Sequence, residues 1–251
     1  MAFSEKLKNE IQLYCTNHLP PDSWYENEFS FIQDIELKNR IIAEFKAIRF
    51  AYKLYEGIEA SNENLVFEVR NQILAYASIY EAVIENVLNT YYSDTDEFDC
   101  LIHHTIPTKI SIPQDKQKIL QDTLLHDGKV IVPFYYARKK KEKPQIRFDD
   151  KCRTAERLGL IHKFVNADGE EVDLASEIIE IYSYRNGIHI IAERRKGISY
   201  ELELSRKAYR RMRPFIDQIK EKLVNDRKYS LQGTTQGRYL TGGVPPVRFS
   251  M

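Results

Sequence analysis

The chain has 251 residues, 43% hydrophobic and 29% charged, with a mean hydropathy of −0.49. This excludes a disordered or collagen-like chain and fits a globular protein able to bury a sizeable core. Lys plus Arg and Asp plus Glu number 37 each, but residues 1–125 hold 11 basic and 20 acidic side chains, net −9, and the remainder holds 26 and 17, net +9. No run approaches the roughly 18 consecutive apolar residues of a spanning helix, and the first ten residues lack a signal peptide's apolar core. Three separated cysteines make no disulfide framework, so a cytoplasmic protein without membrane contact is expected.

Residues 3–17 read as an amphipathic helix that stops before His18-Leu19-Pro20-Pro21, because proline disfavours helix in the preceding residue; a loop follows, to about residue 34. Leu37, Ile41, Phe45, Ile48, Tyr52 and Tyr55 recur at steps of four and three, which predicts a helix over about 35–59. Ser61-Asn62 supplies an N-cap. Val69, Ile73, Tyr76, Tyr80, Val83 and Val87 repeat the spacing to about residue 92, and two long helices on a short link pack antiparallel. Residues 94–148 interrupt this pattern, with a helix expected at 114–125 and a strand at 129–137, confined to an edge by Pro133. The run 138–147, RKKKEKPQIR, reads as an exposed loop. A helix over 149–159, a turn at 166–171, a helix from Asp173 and another over 204–224 containing Pro214 complete the bundle. Residues 227–251 read as a mobile tail.

The helix from Asp173 places Ile178, Tyr182, Arg185 and His189 on one stripe. An inward Arg needs a partner, because removing its charge from water costs several kcal/mol. Glu81, at the border of the apolar face of the second long helix, is the candidate. Asn186-Gly187 is also a turn signal. In the alternative it permits, IHIIAE (188–193) and ISYELEL (198–204) pair as a hairpin around Arg194-Arg195-Lys196-Gly197.

An antiparallel helix pair carrying an inward Glu (IYEAVIENVL, 79–88), followed by a helix bearing YRNGIH (184–189), resembles the HEPN superfamily of all-helical domains, over about residues 35–92 and 150–225. The resemblance implies a mainly α, antiparallel helical bundle over 35–226 with a short β element inserted or appended. It also implies a metal-independent endoribonuclease without cofactor, of toxin or antiphage-defence type, dimerising to bring two Arg/His pairs together and open to a neutralising protein partner. The alternative is a non-catalytic nucleic-acid-binding or protein-interaction module. Arg185 and Asn186 match the family's motif, whereas His189 follows Arg185 after three residues instead of four to six. On this reading His189 moves the proton, being the side chain that titrates near neutral pH. Arg185 stabilises the charge of the transition state, Asn186 positions a phosphate oxygen or the hydroxyl, and Glu81 orients Arg185.

Arg194, Arg195, Lys196, Arg206, Arg210 and Arg213 follow the motif, and the last three share a helical face suited to phosphate contacts with RNA. The competing reading is a solvated face or one paired with carboxylates. Cys15-x-x-His18 and Cys100-x-x-His103 have zinc-ligand spacing, although Cys is more commonly a small buried hydrophobe, and no metal site is assigned. The absence of a glycine-rich phosphate loop, HExxH or nucleophile elbow argues against an NTPase, zinc protease or α/β-hydrolase.

Overall fold

The computed structural model describes residues 2–123, 132–187 and 200–230. Helix α1 (Glu5–Asn17) begins at Ser4, whose Oγ accepts from the Leu7 N–H at 3.3 Å. α2 (Asp22–Glu28) occupies part of the segment read as loop, because Pro20-Pro21 ends one helix and opens the next. α3 (Ile35–Gly57) is capped by Asp34, whose Oδ1 accepts from the Leu37 N–H at 3.0 Å. α4 (Asn62–Tyr91) follows. Then come α5 (Asp96–Ile102), β1 (His103–Lys109), α6 (Gln114–Thr123) and β2 (Phe134–Lys140). A 3₁₀ turn (Lys143–Gln145), α7 (Phe148–Arg157), the two-residue strands β3 (Phe164–Val165) and β4 (Glu171–Val172), α8 (Leu174–Arg185) and α9 (Leu202–Asn225) complete the chain.

The architecture is mainly helical with small antiparallel sheets, β1 against β2 and β3 against β4. α4 is its axis and packs against α3, α7, α8 and α9. Val, Ile and Tyr in α4 favour strands when only local preference acts. Their 3.6-residue spacing wins here, because the six predicted stripe residues are all buried, and burying a large apolar side chain contributes about 1.5–3 kcal/mol. Ala75, Ala77, Ile79 and Ile84 are buried as well, so α4 is covered on more than the one stripe.

Several polar groups inside this core find partners. The Tyr80 hydroxyl donates to the Ala208 carbonyl of α9 at 2.8 Å, and the Tyr91 hydroxyl to the Phe31 carbonyl at 2.5 Å. Ser205 donates to Gln72, whose Nε2 donates to Glu68 at 2.8 Å. Among the described residues no helix is long and apolar enough to cross a membrane.

Several expectations are corrected. Of the hairpin alternative, residues 188–199 lie outside the described residues, and residues 202–204, which would end its second strand, form the first turn of α9. α8 ends at Arg185 with Asn186 as its C-cap, so the helix does not continue to His189. The run 138–147 is not all loop: Arg138–Lys140 belong to β2, which pairs with β1, a strand without a signal in the sequence. Part of the expected tail is docked, since the Tyr229 hydroxyl lies 2.6 Å from Ser30 Oγ and Lys228 bonds the Tyr91 carbonyl.

Candidate functional site

α8 is started by Asp173, whose Oδ1 accepts from the Ser176 N–H at 2.9 Å. Leu174, Ala175, Ile178 and Ile181 bury the side of α8 that packs on α4 and α7. The neighbouring positions Tyr182 and Arg185 are thereby brought to the border of that contact, both partly exposed.

Arg185 Nη1 donates to Glu81 Oε2 in an ion pair across the α4–α8 contact. The two side chains are 31% and 29% exposed, so the pair is anchored and still reachable from solvent. The Tyr182 hydroxyl donates to the other carboxylate oxygen, Oε1, at 2.9 Å, so Glu81 is held at both oxygens. The Tyr182 ring stacks on Phe148 of α7 with centroids 4.1 Å apart, and the Arg185 guanidinium lies 5.1 Å from the Tyr182 ring centroid. Burial, and then the bond to the Glu81 carboxylate, raise the Tyr182 hydroxyl above its ordinary pKa, so it stays a donor at neutral pH. One turn along α4, Glu85 receives Lys151 of α7 at 2.5 Å.

The sequence paired Glu81 with Arg185, and the structure brings them together. In the sequence Tyr182 shows only as an apolar stripe residue, and Phe148 and Lys151 carry no signal, because stacking across two short helices has no sequence period. Asn186 caps the helix and is exposed. His189, Arg194, Arg195 and Lys196 lie outside the described residues. Tyr200, where description resumes, donates to the Tyr184 carbonyl at 3.3 Å, one residue before Arg185.

The α9 cations are largely engaged. Lys207 reaches Glu180 at 2.8 Å and Glu177 at 3.5 Å, and Arg211 pairs with Glu177. These carboxylates sit five and eight residues before Arg185, about 8–12 Å along the axis. Arg206 and Arg210 meet Glu203 at 3.5 and 3.4 Å. Arg213 meets Asp217 at 2.8 Å and the buried Glu28 at 3.9 Å. The expected RNA face is therefore a ladder of charge pairs whose carboxylates come mostly from the basic half itself. Arg210, 63% exposed, points furthest outward of the three expected phosphate contacts.

Among the described residues no group of three or more His, Cys, Asp or Glu is placed to hold a metal. Cys15 is buried, Cys100 is exposed, and the His103 ring faces Asp99 at 2.9 Å. Comparison with protein-family models, curated proteins and solved structures found no match.

The N-cap of α8 yields a pH-dependent expectation. The bond from the Ser176 N–H holds the Asp173 carboxyl below its ordinary pKa. A lowered folded-state value stabilises the fold above the unfolded pKa near 4 and is lost as pH falls through the folded value. Asp173→Ala should cost about 1 kcal/mol at neutral pH, measured by urea unfolding, and the difference from wild type should shrink steadily below pH 4.

Proposed function

We propose that this chain is a metal-independent endoribonuclease, of toxin or defence type, that cleaves RNA through attack of its own 2′-hydroxyl. The observation that carries the reading is Arg185, fixed on the last turn of α8 by Glu81 and left partly open to solvent. A guanidinium has five N–H donors, so an arginine bonded to Glu81 through Nη1 retains others for a phosphate. Negative charge gathers on the phosphorus oxygens as the 2′-oxygen attacks, and a pre-positioned guanidinium favours that state over the ground state. His189, four residues on in the chain, moves the proton from the 2′-hydroxyl or to the departing 5′-oxygen. Asn186 positions a phosphate oxygen. A second copy of the chain supplies a second Arg/His pair, so that acid and base fall to different protomers.

Incubation with bulk RNA and tRNA in EDTA tests this. Wild type should yield fragments ending in 2′,3′-cyclic phosphate, and 2′-O-methylated RNA should stay intact. Persistent cleavage by folded His189→Ala, or cutting of the methylated strand, overturns the mechanism. The carboxylate partners of the α9 cations favour a non-catalytic protein-interaction module as the second reading, which a stable complex with a protein partner and no cleavage would establish.

A further inference from the structure

The insertion between α4 and α7 builds a two-stranded ribbon whose faces differ. In its antiparallel register Thr105 faces Arg138, Pro107 faces Tyr136, and Lys109 faces Phe134; directly opposed residues share a face. All six of these residues are exposed. On the other face His104, Ile106, Thr108 and Ala137 are half-buried, while Tyr135 and Lys139 are exposed. One face of the ribbon is therefore bare at all six paired positions, and it carries two aromatic rings. Phe134 is 52% and Tyr136 68% exposed, and their rings meet edge to face at 5.5 Å.

Cations border those rings. Lys109 stands across from Phe134, and Arg138 and Lys140 continue the same side of β2 beyond Tyr136. Asp99 of α5 pairs with Arg138 and fixes it at the base of the ribbon. Lys141 and Lys143 extend the positive stretch, with Glu142 the acid within it. Among the described residues no ion pair engages Lys109, Lys139, Lys140, Lys141 or Lys143.

We propose that this face of the β1–β2 ribbon binds single-stranded nucleic acid, with Phe134 and Tyr136 stacking on bases and Lys109 and Lys140 contacting phosphates. Stacking on exposed rings beside a basic track is how strands are held without sequence preference, and it requires bases that are not already paired in a duplex. Addition of a protein strand fits less well, because Pro107 removes a ladder donor from β1 and Pro133 does so at the start of β2. Insertion into a bilayer also fits less well, since the aromatic end of the ribbon leads into α6, whose sequence QDKQKILQDT is mostly polar. The ribbon shares no residue with the Arg185 site, and the proposal holds whether or not the strand is cut there.

The test uses the full chain and a fluorescent 2′-O-methyl oligouridine of about 12 nucleotides, which cannot be cleaved by 2′-hydroxyl attack, read by anisotropy. Wild type should bind it, more weakly as salt rises. Phe134→Ala and Tyr136→Ala should each weaken binding about 5-fold or more, whereas Tyr136→Phe keeps it. Lys109→Gln and Lys140→Gln should each reduce the slope of log affinity against log salt by about 0.7. Circular dichroism should show all variants folded, as expected for exposed positions. The proposal is overturned if wild type does not bind the strand, if both folded ring variants bind within 2-fold of wild type, or if a duplex of equal length binds as tightly. Binding to anionic phosphatidylserine vesicles with no strand affinity overturns it equally. Because the probe is inert, loss of cleavage in Arg185→Ala leaves this outcome untouched, so the two proposals can fail separately.

Discussion

Arg185→Ala is expected to lower the rate of RNA cleavage by about 10²–10³-fold, the usual loss when one pre-organised donor to a developing charge is removed. Fold stability should fall modestly. The Glu81–Arg185 pair is about a third exposed, so its loss should cost more than the ~1 kcal/mol of an exposed pair and less than the ~3–5 kcal/mol of a buried one, and circular dichroism should show the variant folded. Arg185→Lys should recover little, because an ammonium keeps the charge without the planar fork that matches phosphate oxygens. Glu81→Gln should sit between wild type and Arg185→Ala: it preserves an acceptor and the Tyr182 bond but removes the charge that holds the guanidinium in place. Tyr182→Phe deletes only the hydroxyl on Glu81 Oε1 and should have the smallest effect. The check is single-turnover cleavage with enzyme in excess, which separates chemistry from product release. Cleavage by Arg185→Ala within 3-fold of wild type would remove Arg185 from the mechanism.

What was legible in the sequence followed from period. The stripes of α3 and α4 each span about five turns, so their faces are over-determined, and Glu81 could be placed against Arg185 because it borders one periodic apolar face while Arg185 continues another. The missed elements lack such repetition. α2 is one heptad whose signal is its neighbouring prolines, and β1 follows α5 directly through His103, with no glycine or asparagine turn to mark the change. The end of α8 was ambiguous for a physical reason. The His189 spacing continued the helical stripe while Asn186-Gly187 signalled a stop, and the cap prevailed, with the Gly187 N–H bonded to the Tyr184 carbonyl at 2.9 Å. Composition alone could not show that the α9 cations are met largely by acids of their own half: Glu203 and Asp217 lie on α9 itself, and Glu177 and Glu180 meet Lys207 and Arg211 only once α9 lies along α8.

The largest loss of stability should come from Phe45→Ala. Phe45 is 1% exposed, and five rings surround it: Trp24 at 6.1 Å, Tyr25 at 5.7 Å, Phe29 at 6.0 Å, Tyr76 at 6.1 Å and Tyr209 at 6.4 Å. They come from α2 and the residue after it, from α4 and from α9, so one α3 side chain fastens the N-terminal helices to both the axis and the last helix. Removing a buried Phe costs about 3–5 kcal/mol through lost transfer energy and an unfilled cavity. The cavity cannot collapse easily here, because the five rings are carried on three different helices and because the buried Arg49, whose guanidinium lies 3.9 Å from the Tyr209 ring centroid, would have to move with them. Against a total stability of about 5–15 kcal/mol, a loss of this size should lower Tm by about 6–20 °C. Calorimetry measures that shift. Emission from Trp24, the single tryptophan, reports the same packing directly and should move to longer wavelength at temperatures where wild type is unchanged. Phe45→Leu, which refills most of the volume but loses the edge-to-face ring contacts, should cost less than half as much; equal losses for the two variants would show that the rings, and not the volume, hold α2 to the core.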